Sequence, residues 1–138
     1  LAIPQIKGCE FLDLDLDQAV MPLLKVKLSI PEISNVSSDN VRTEGTEILS
    51  SATGKSSDFV MVILENGMTA SFGGNLTAPC AYLEVKNVGE LSPETTGELS
   101  QRLGALIEKE FGVAPERTYV EFQESKRHLW GWAGKTFA

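Results

Sequence analysis

Few side chains in this sequence have the type and spacing needed for catalysis or metal binding. His128 is the single histidine, so a histidine-based triad would have to be built around it, and an exposed loop imidazole is the simpler interpretation. Cys9 and Cys80 have no histidines or further cysteines clustered around them, which predicts reduced thiols rather than a zinc site or a disulfide scaffold. The sequence has no glycine-rich phosphate loop and no Cys-x-x-Cys pair.

Three aspartates near the start of the chain have the spacing of a calcium-binding loop. Asp13, Asp15 and Asp17 alternate with leucines. An EF-hand loop also needs glycine at its sixth position and glutamate at its twelfth, where this sequence has Gln18 and Leu24. We therefore expect no metal and no cofactor, and we interpret the alternation as a half-exposed strand.

The composition predicts one globular domain without a nucleic-acid or membrane partner. The chain has 138 residues, of which 42% are hydrophobic and 22% charged, enough for a single core. A net charge of −7 without a dense basic stripe argues against nucleic-acid binding. The sequence contains no window of ~18 apolar residues, so no membrane span is predicted. Residues 1–20 lack the pattern of a secretory signal.

A strand–helix–strand unit is written twice in the chain. Residues 24–27 read LKVK and residues 83–86 read LEVK, and the pattern Gly-x-x-x-Asp-x-Val-x-Val at 54–62 recurs as Gly-x-x-x-Glu-x-Thr-x-Val at 112–120. A chance match would not keep its register across an intervening helix. The repeat therefore predicts one structural module present in two copies.

In the first unit, residues 22–30 alternate between apolar and polar side chains, which predicts a strand that Pro31 ends. Ser38 is predicted to be the N-cap of the following helix and Gly54 its C-terminal cap. The continuous apolar run 59–64 predicts a strand buried on both faces. Asn66 and Gly67 then predict a hairpin turn into a short strand at 69–72.

The second unit repeats this order with clearer signals. Residues 80–88 predict a strand, and Ser92 and Pro93 predict the N-cap and first position of a helix that Gly112 ends. Residues 118–123 predict the last main strand, and the apolar tail 129–138 is expected to pack against the domain. The buried stripe of the helix is predicted to consist of Leu99, Leu103, Leu106 and Ile107.

The doubled unit predicts an α/β fold in the form of an α+β sandwich. Because strand–helix–strand crossovers are right-handed, two of them place both helices on one face of a four-stranded mixed sheet, to which short edge strands are added. The opposite face would carry the alternating polar positions, and it is either solvated or lines a wet channel in an oligomer; the sequence favours neither. These positions are Lys25, Lys27, Glu84, Lys86 and Glu121.

A series of short motifs occurs along the chain in one order and spacing. They lie at 21–24, 53–55, 60–62, 70–74, 87–89, 115–120 and 131–137. With these motifs the sequence resembles the macrophage migration inhibitory factor family of the tautomerase superfamily. The resemblance covers residues 22–138 and predicts one tautomerase-like domain there, with residues 1–21 as an N-terminal extension outside the functional protein.

The resemblance also assigns roles to individual residues. It implies that Met21 is removed and that the nitrogen of Pro22 becomes the catalytic base, with Lys55 binding the substrate carboxylate and assisting in lowering the pKa of the proline. It implies a backbone contact to substrate at Val88 and an aromatic side chain, Tyr119, that reaches the pocket of a neighbouring subunit. The apolar pocket walls would be Phe59, Trp130, Trp132 and Phe137.

The activity implied by the resemblance is keto–enol tautomerisation of small aromatic 2-oxo acids such as phenylpyruvate, with dopachrome-like compounds as surrogate substrates. The alternative is a catalytically silent, cytokine-like protein that engages a cell-surface receptor. Both imply a homotrimer with pockets between subunits. The implied location is cytoplasmic, with an extracellular pool that leaves the cell by a non-classical route.

Three features depart from the mammalian pattern of the family. Glu121 replaces an asparagine, and its carboxylate would repel an anionic ligand. Cys80 lacks the second cysteine of a Cys-x-x-Cys motif, so a local dithiol activity is not expected. The residues ahead of Pro22 acylate its nitrogen, so that either the protein starts at Met21, or processing exposes Pro22, or the protein is a silent binder. We favour a start at Met21, where the resemblance begins.

Overall fold

The computed structural model describes residues 22–138, which form a four-stranded sheet covered by two long helices. Cys9, the aspartates at 13–17 and the predicted extension 1–21 lie outside the described residues. The elements in chain order are β1 (Pro22–Leu28), α1 (Asn35–Thr53), β2 (Met61–Glu65), β3 (Ala81–Val88), α2 (Pro93–Phe111), β4 (Thr118–Ser125), β5 (Gly131–Trp132) and β6 (Lys135–Thr136).

The sheet has the order β2-β1-β3-β4 and is mixed. Strand β1 pairs in parallel with β2, and β3 pairs in parallel with β4, so each strand–helix–strand unit forms one half of the sheet. The halves meet where β1 and β3 run antiparallel. The predicted fold class is therefore confirmed.

The two central strands bury one face and leave the other half-exposed. In β1 and β3 the buried positions alternate with half-exposed ones, which apart from Leu23 are charged or polar, and this is the period of a strand with a single apolar face. The buried side chains of both strands pack with both helices into one core. The predicted stripe of α2 is part of it: Leu99, Leu103, Leu106 and Ile107 are all buried.

Three of the four predicted helix caps are present, and the fourth is displaced. Gly54 and Gly112 end their helices in the left-handed conformation, at φ 72° and 70°, and Ser92 caps α2. The prediction of Ser38 as N-cap was wrong, because α1 starts one turn earlier and Ser34 accepts from the Ser37 N–H at 3.0 Å.

The additional turn of α1 is held by the end of α2. Ser37 Oγ donates to the Glu110 carbonyl at 3.2 Å, and Asn40 Nδ2 donates to the Glu110 carboxylate at 3.3 Å. Several serines between residues 34 and 38 could cap a helix equally well. The contact with α2, which lies far away in sequence, decides between them.

The prediction that residues 59–64 form a strand buried on both faces was wrong. Strand β2 is an edge strand, and Met61 is 61% exposed. Apolar runs of this length do not by themselves distinguish a central strand from an edge strand. Within residues 22–138, nothing pairs with the outer edge of β2.

The hairpin predicted at Asn66 and Gly67 does not form, and residues 69–72 are not a strand. Instead, the Gly67 N–H donates to the Ile30 carbonyl at 2.8 Å and the Met68 N–H donates to the Leu28 carbonyl at 3.0 Å, so the chain returns to the end of β1. The loop that follows is held by Arg117, which donates to the carbonyls of Pro79 and Ala78 at 2.9 and 2.8 Å.

The C-terminal tail packs against the domain, as predicted. Phe137 is only 3% exposed, and its N–H donates to the carbonyls of Arg127 and Trp130, each at 3.2 Å. Strands β5 and β6 form a small hairpin just before it. The tail thereby closes one side of the cavity described below.

On the charged sheet face, Tyr82 of β3 donates a hydrogen bond to the carboxylate of Glu121 on β4. This hydrogen bond, followed by partial burial and the nearby charge of Glu84, raises the pKa of Tyr82 to about 12. The phenol is thus held in its neutral form more strongly in the folded protein than in the unfolded chain.

We predict that the free energy of unfolding falls as the pH rises from about 10 to about 12, because the unfolded phenol ionises first. Below pH ~10 the contribution is fully present. Ultraviolet titration should resolve a tyrosine with a raised pKa, and Tyr82→Phe should remove that transition. Glu121→Gln should lower the pKa of Tyr82. An unchanged titration in Tyr82→Phe would contradict the assignment.

Two helix glycines offer a matched test of packing. A Cβ on Gly45 of α1 would lie 3.0 Å from Cδ2 of the fully buried Leu24, whereas a Cβ on Gly97 of α2 would have nothing within 4 Å. Gly97→Ala should therefore stabilise the protein by about 0.5–1 kcal/mol.

Gly45→Ala should not give the stabilisation expected for Gly97→Ala. Its added Cβ forces Leu24 to shift within a packed core, which costs about 1 kcal/mol or more of stability. Urea unfolding of the two variants measures the difference. Equal stabilisation by both substitutions would show that Leu24 yields freely at this contact.

Candidate active site

An apolar cavity of about 550 Å³ lies at the N-terminal ends of the parallel strands β1 and β2. Its walls come from the start of both strands, from the turn before β2 and from the hairpin β5–β6. The lining residues are Pro22, Leu23, Asp58, Phe59, Val60, Met61, Val62, Trp130, Gly131 and Trp132. Pro22, Phe59, Trp130 and Trp132, which the sequence predicted as site residues, are thus brought together.

Pro22 is buried at the first position of β1. A proline is tolerated there because the first residue of a strand does not need to donate to the ladder. Pro22 lies directly opposite Asn87 in the antiparallel pairing of β1 with β3. This register places Pro22 at the end of β3 where Val88 is found.

Lys55 follows the C-terminal cap of α1 and reaches the same end of β3. Its Nζ donates to the Val88 carbonyl at 3.4 Å, and its own carbonyl accepts a hydrogen bond from Ser50 Oγ at 2.6 Å. A cation at a helix C-terminus also interacts favourably with the helix dipole. Lys55 is half-buried, so its charge is screened less than that of a fully exposed lysine.

The aromatic residues form a continuous wall behind the cavity. The rings of Phe59 and Trp132 meet edge to face, with centroids 5.4 Å apart, a favourable arrangement for aromatic pairs. Val88 and Phe137 form a small buried cluster against which Trp130 and Trp132 pack. Because Phe137 supports the tryptophans from behind, the docked tail gives the wall its shape.

Four predicted site residues do not line this cavity: Lys55, Val88 and Phe137 lie behind or beside its wall, whereas Tyr119 lies away from it. Tyr119 is on β4, the strand at the opposite edge of the sheet from β2, and it is 66% exposed. Its ring lies 5.1 Å from that of Phe72. Within one chain it has no contact with the cavity, and its predicted role is in the pocket of a neighbouring subunit.

Two polar residues at the site were missed in the sequence. Asp58 lines the cavity and is the one charged residue among its lining residues in the described chain. Asn87 is 1% exposed, and it is the one buried polar or charged side chain among residues 22–138. An asparagine at a core position of a predicted strand was a signal that could have been read.

The other candidates for chemistry lie elsewhere. His128 is exposed in a short turn at Arg127–Leu129, and Cys80 is buried directly before β3 with a free thiol. Among residues 22–138 there is no group of three or more side chains suited to holding a metal ion. No helix in this part of the chain is both long enough and apolar enough to cross a membrane.

The cavity itself is mainly apolar, and Asp58 supplies a single carboxylate to its lining. The half-buried ammonium group of Lys55 is not part of the lining but is held at the Val88 carbonyl, at the end of β3 next to Pro22. Cavities that bind small molecules commonly combine an apolar lining with a few polar groups that orient the ligand.

Comparison with known proteins identifies a single family for this chain. The sequence pattern of the macrophage migration inhibitory factor (MIF) family matches residues 21–138. The macrophage migration inhibitory factor of Rattus norvegicus is 26% identical over 118 residues, which is 86% of this chain and 100% of the rat protein.

Solved structures of similar proteins agree with the fold. MIF2 of Leishmania major is 32% identical with a TM-score of 0.78, covering 85% of this chain and 97% of that one. The MIF homologue of Prochlorococcus marinus is also 32% identical with a TM-score of 0.78, covering 84% and 99%. Residues 21–138 of this chain therefore form a member of the macrophage migration inhibitory factor family.

Proposed function

We propose that this protein, with Pro22 as its N-terminal residue, is a keto–enol tautomerase that acts on phenylpyruvate-like 2-oxo acids. The family includes tautomerase-type isomerases. The observation that carries the proposal is the placement of Pro22, which is buried beside an aromatic cavity while Lys55 is held at the Val88 carbonyl across the strand pair.

The physical chemistry of an N-terminal proline suits this role. A chain-terminal amine has a pKa near ~8 in water. Burial and the charge of Lys55 both disfavour its protonated form and lower its pKa. A neutral secondary amine at pH ~7 can then accept a proton.

The reaction moves one proton and leaves the composition of the substrate unchanged. The Pro22 nitrogen takes the proton from the carbon next to the ketone, and the C–H electron pair forms the C=C bond of an enolate. The enolate oxygen then takes that proton from the protonated proline, which gives the enol and restores the neutral amine. Lys55 holds the carboxylate by charge. The aromatic ring of the substrate packs among Phe59, Trp130 and Trp132, and the Val88 backbone orients it.

The residues before Pro22 decide whether its nitrogen can act as a base. In the 138-residue chain the nitrogen of Pro22 belongs to a peptide bond with Met21, and an amide nitrogen has no basic lone pair. Catalysis therefore requires a chain that begins at Pro22, through a start at Met21 or through processing.

The second candidate is a catalytically silent, cytokine-like protein that binds a cell-surface receptor. The acylated Pro22 of the full sequence favours this candidate, as does the carboxylate of Asp58 in the cavity lining, which would repel an anionic substrate. Glu121 lies on β4, away from the cavity of its own chain, and would act on a substrate only in the pocket of a neighbouring subunit. Cytoplasmic residence with non-classical release stays a prediction for both candidates.

The test of the enzyme compares three chains: residues 1–138, a chain started at Met21 so that Pro22 becomes terminal, and the same chain with Pro22→Gly. Residues 21–138 cover the whole length of the rat relative, and they contain the complete core of residues 22–138. We expect tautomerisation of phenylpyruvate, followed by ultraviolet absorbance, in the chain with free Pro22 alone. Pro22→Gly should lose at least about a hundredfold in kcat.

Lys55→Ala is the matched control, since it should raise KM while leaving Pro22 in place. N-terminal sequencing of the natural protein decides between the two candidates. Full activity in a chain that retains Leu1 would remove Pro22 from the mechanism, and an inactive chain with free Pro22 would favour the silent binder.

A homotrimer is proposed for the assembly. It is supported by the unpaired outer edge of β2 in the described chain, with Met61 exposed there, and by the exposed Tyr119 at the other edge of the sheet. Such edges are suited to pairing with another chain. Sedimentation should give a species of three times the 15.0 kDa of one chain, and a monomer alone would contradict the proposal.

A further inference from the structure

Asn87 occupies a core position in the central strand pair. The buried positions that precede it on β3 are Ala81, Leu83 and Val85, and all are apolar. Asn87 continues their alternation, is 1% exposed and lies directly opposite Pro22. An amide at such a place is costly unless its polar atoms are hydrogen-bonded.

The amide nitrogen of Asn87 is bound to the end of its own strand. Nδ2 donates to the Val88 carbonyl at 3.2 Å and to the Gly89 carbonyl at 3.4 Å. The Val88 carbonyl is the same atom that accepts from Lys55 Nζ at 3.4 Å. One carbonyl thus joins the buried amide to the cation of the site.

These hydrogen bonds lie where the backbone leaves the regular conformation of β3. Gly89 has φ 99°, a conformation that side chains other than glycine rarely adopt. Its N–H donates to the Ser125 carbonyl at 3.0 Å. With Asn87 holding the two carbonyls from within the core, the direction of the Val88 carbonyl is determined on both sides.

The side-chain oxygen of Asn87 accepts no hydrogen bond in the described part of the chain. A buried acceptor without a donor costs free energy. A leucine or valine would fill a core position without that cost. The amide is therefore suited to the placement of the carbonyls rather than to packing.

We propose that Asn87 is a positioning residue of the site. It orients the Val88 carbonyl, and through that carbonyl it holds the ammonium group of Lys55 where a ligand carboxylate binds. The assignment rests on the proposed function for its substrate, but the placement of Lys55 can be measured without catalysis.

The test uses ligands that cannot be enolised. Binding of 3-phenylpropanoate and of its neutral amide, 3-phenylpropanamide, is followed by the fluorescence of Trp130 and Trp132 in the chain with free Pro22. Asn87→Ala should weaken binding of the carboxylate roughly tenfold, the equivalent of about 1.4 kcal/mol. Binding of the neutral amide should change less than about twofold, because it does not use the charge of Lys55.

A double-mutant cycle isolates the connection to Lys55. In a Lys55→Ala background, Asn87→Ala should have no further effect on carboxylate binding. Asn87→Ser, which keeps one donor, should recover part of the affinity. Thermal unfolding of each variant shows whether it is folded, and Asn87→Ser is the informative variant if Asn87→Ala does not fold.

In turnover of phenylpyruvate, Asn87→Ala should raise KM by a larger factor than it lowers kcat, because its main effect is on the ammonium group that binds the carboxylate. Two results would show that Asn87 has only a structural role. One is an equal loss of affinity for the carboxylate and for the neutral amide in Asn87→Ala. The other is the same loss of carboxylate affinity on adding Asn87→Ala to the Lys55→Ala background as in the wild type. If the wild-type chain binds the carboxylate selectively, Asn87→Ala weakens that binding as expected and there is no turnover, the tautomerase proposal fails and the assignment of Asn87 stands. If turnover is present but Asn87→Ala and Asn87→Ser bind the carboxylate as the wild type does, the assignment of Asn87 fails.

Discussion

The antiparallel pairing of β1 with β3 is the constraint on which the rest of the structure depends. Each strand–helix–strand unit has one apolar face, and neither unit can enclose a core alone. The register places buried residues opposite one another, as in Leu24 with Val85 and Val26 with Leu83. A slip of one residue would turn the charged positions Lys25 and Glu84 toward the helices. Burial of the apolar face therefore determines the register.

The same register builds the site. Because Leu24 lies opposite Val85, Pro22 must lie opposite Asn87, and the end of β3 is brought to the start of β1. Lys55 arrives there because α1 ends at Gly54 above this end of the sheet, and its Nζ meets the Val88 carbonyl. The aromatic wall depends in addition on the C-terminal tail, where Phe137 packs with Val88 against Trp130 and Trp132. Core packing and site geometry are thus consequences of one strand pairing.

The sequence predicted the ends of helices correctly where they depend only on residues within one helical turn. Ser92, Pro93 and Gly112 mark the ends of α2 because capping depends on groups within one turn of the helix. The failures have a common cause, which is competition by distant partners. The first turn of α1 is hydrogen-bonded to Glu110 of α2, so the helix begins after Ser34. The hairpin expected at Asn66 and Gly67 does not form because the backbone N–H groups of Gly67 and Met68 donate to carbonyls at the end of β1. Asp58 was missed because the cavity that it lines is formed with residues of other elements. Asn87 was missed because its burial and its connection to Lys55 through the Val88 carbonyl depend on the packing of distant segments.

The amino-acid sequence by itself determined the doubled unit, the apolar faces, most helix ends and, through its motifs, the family and a set of candidate site residues. These depend on periodicity and on chemistry within a few residues, which a linear pattern records. Only the tertiary structure decided that β2 is an edge strand, that Tyr119 lies far from the cavity of its own chain, and that one carbonyl joins Asn87 to Lys55. Those features depend on which strands become neighbours, and that is decided by the packing of the whole core.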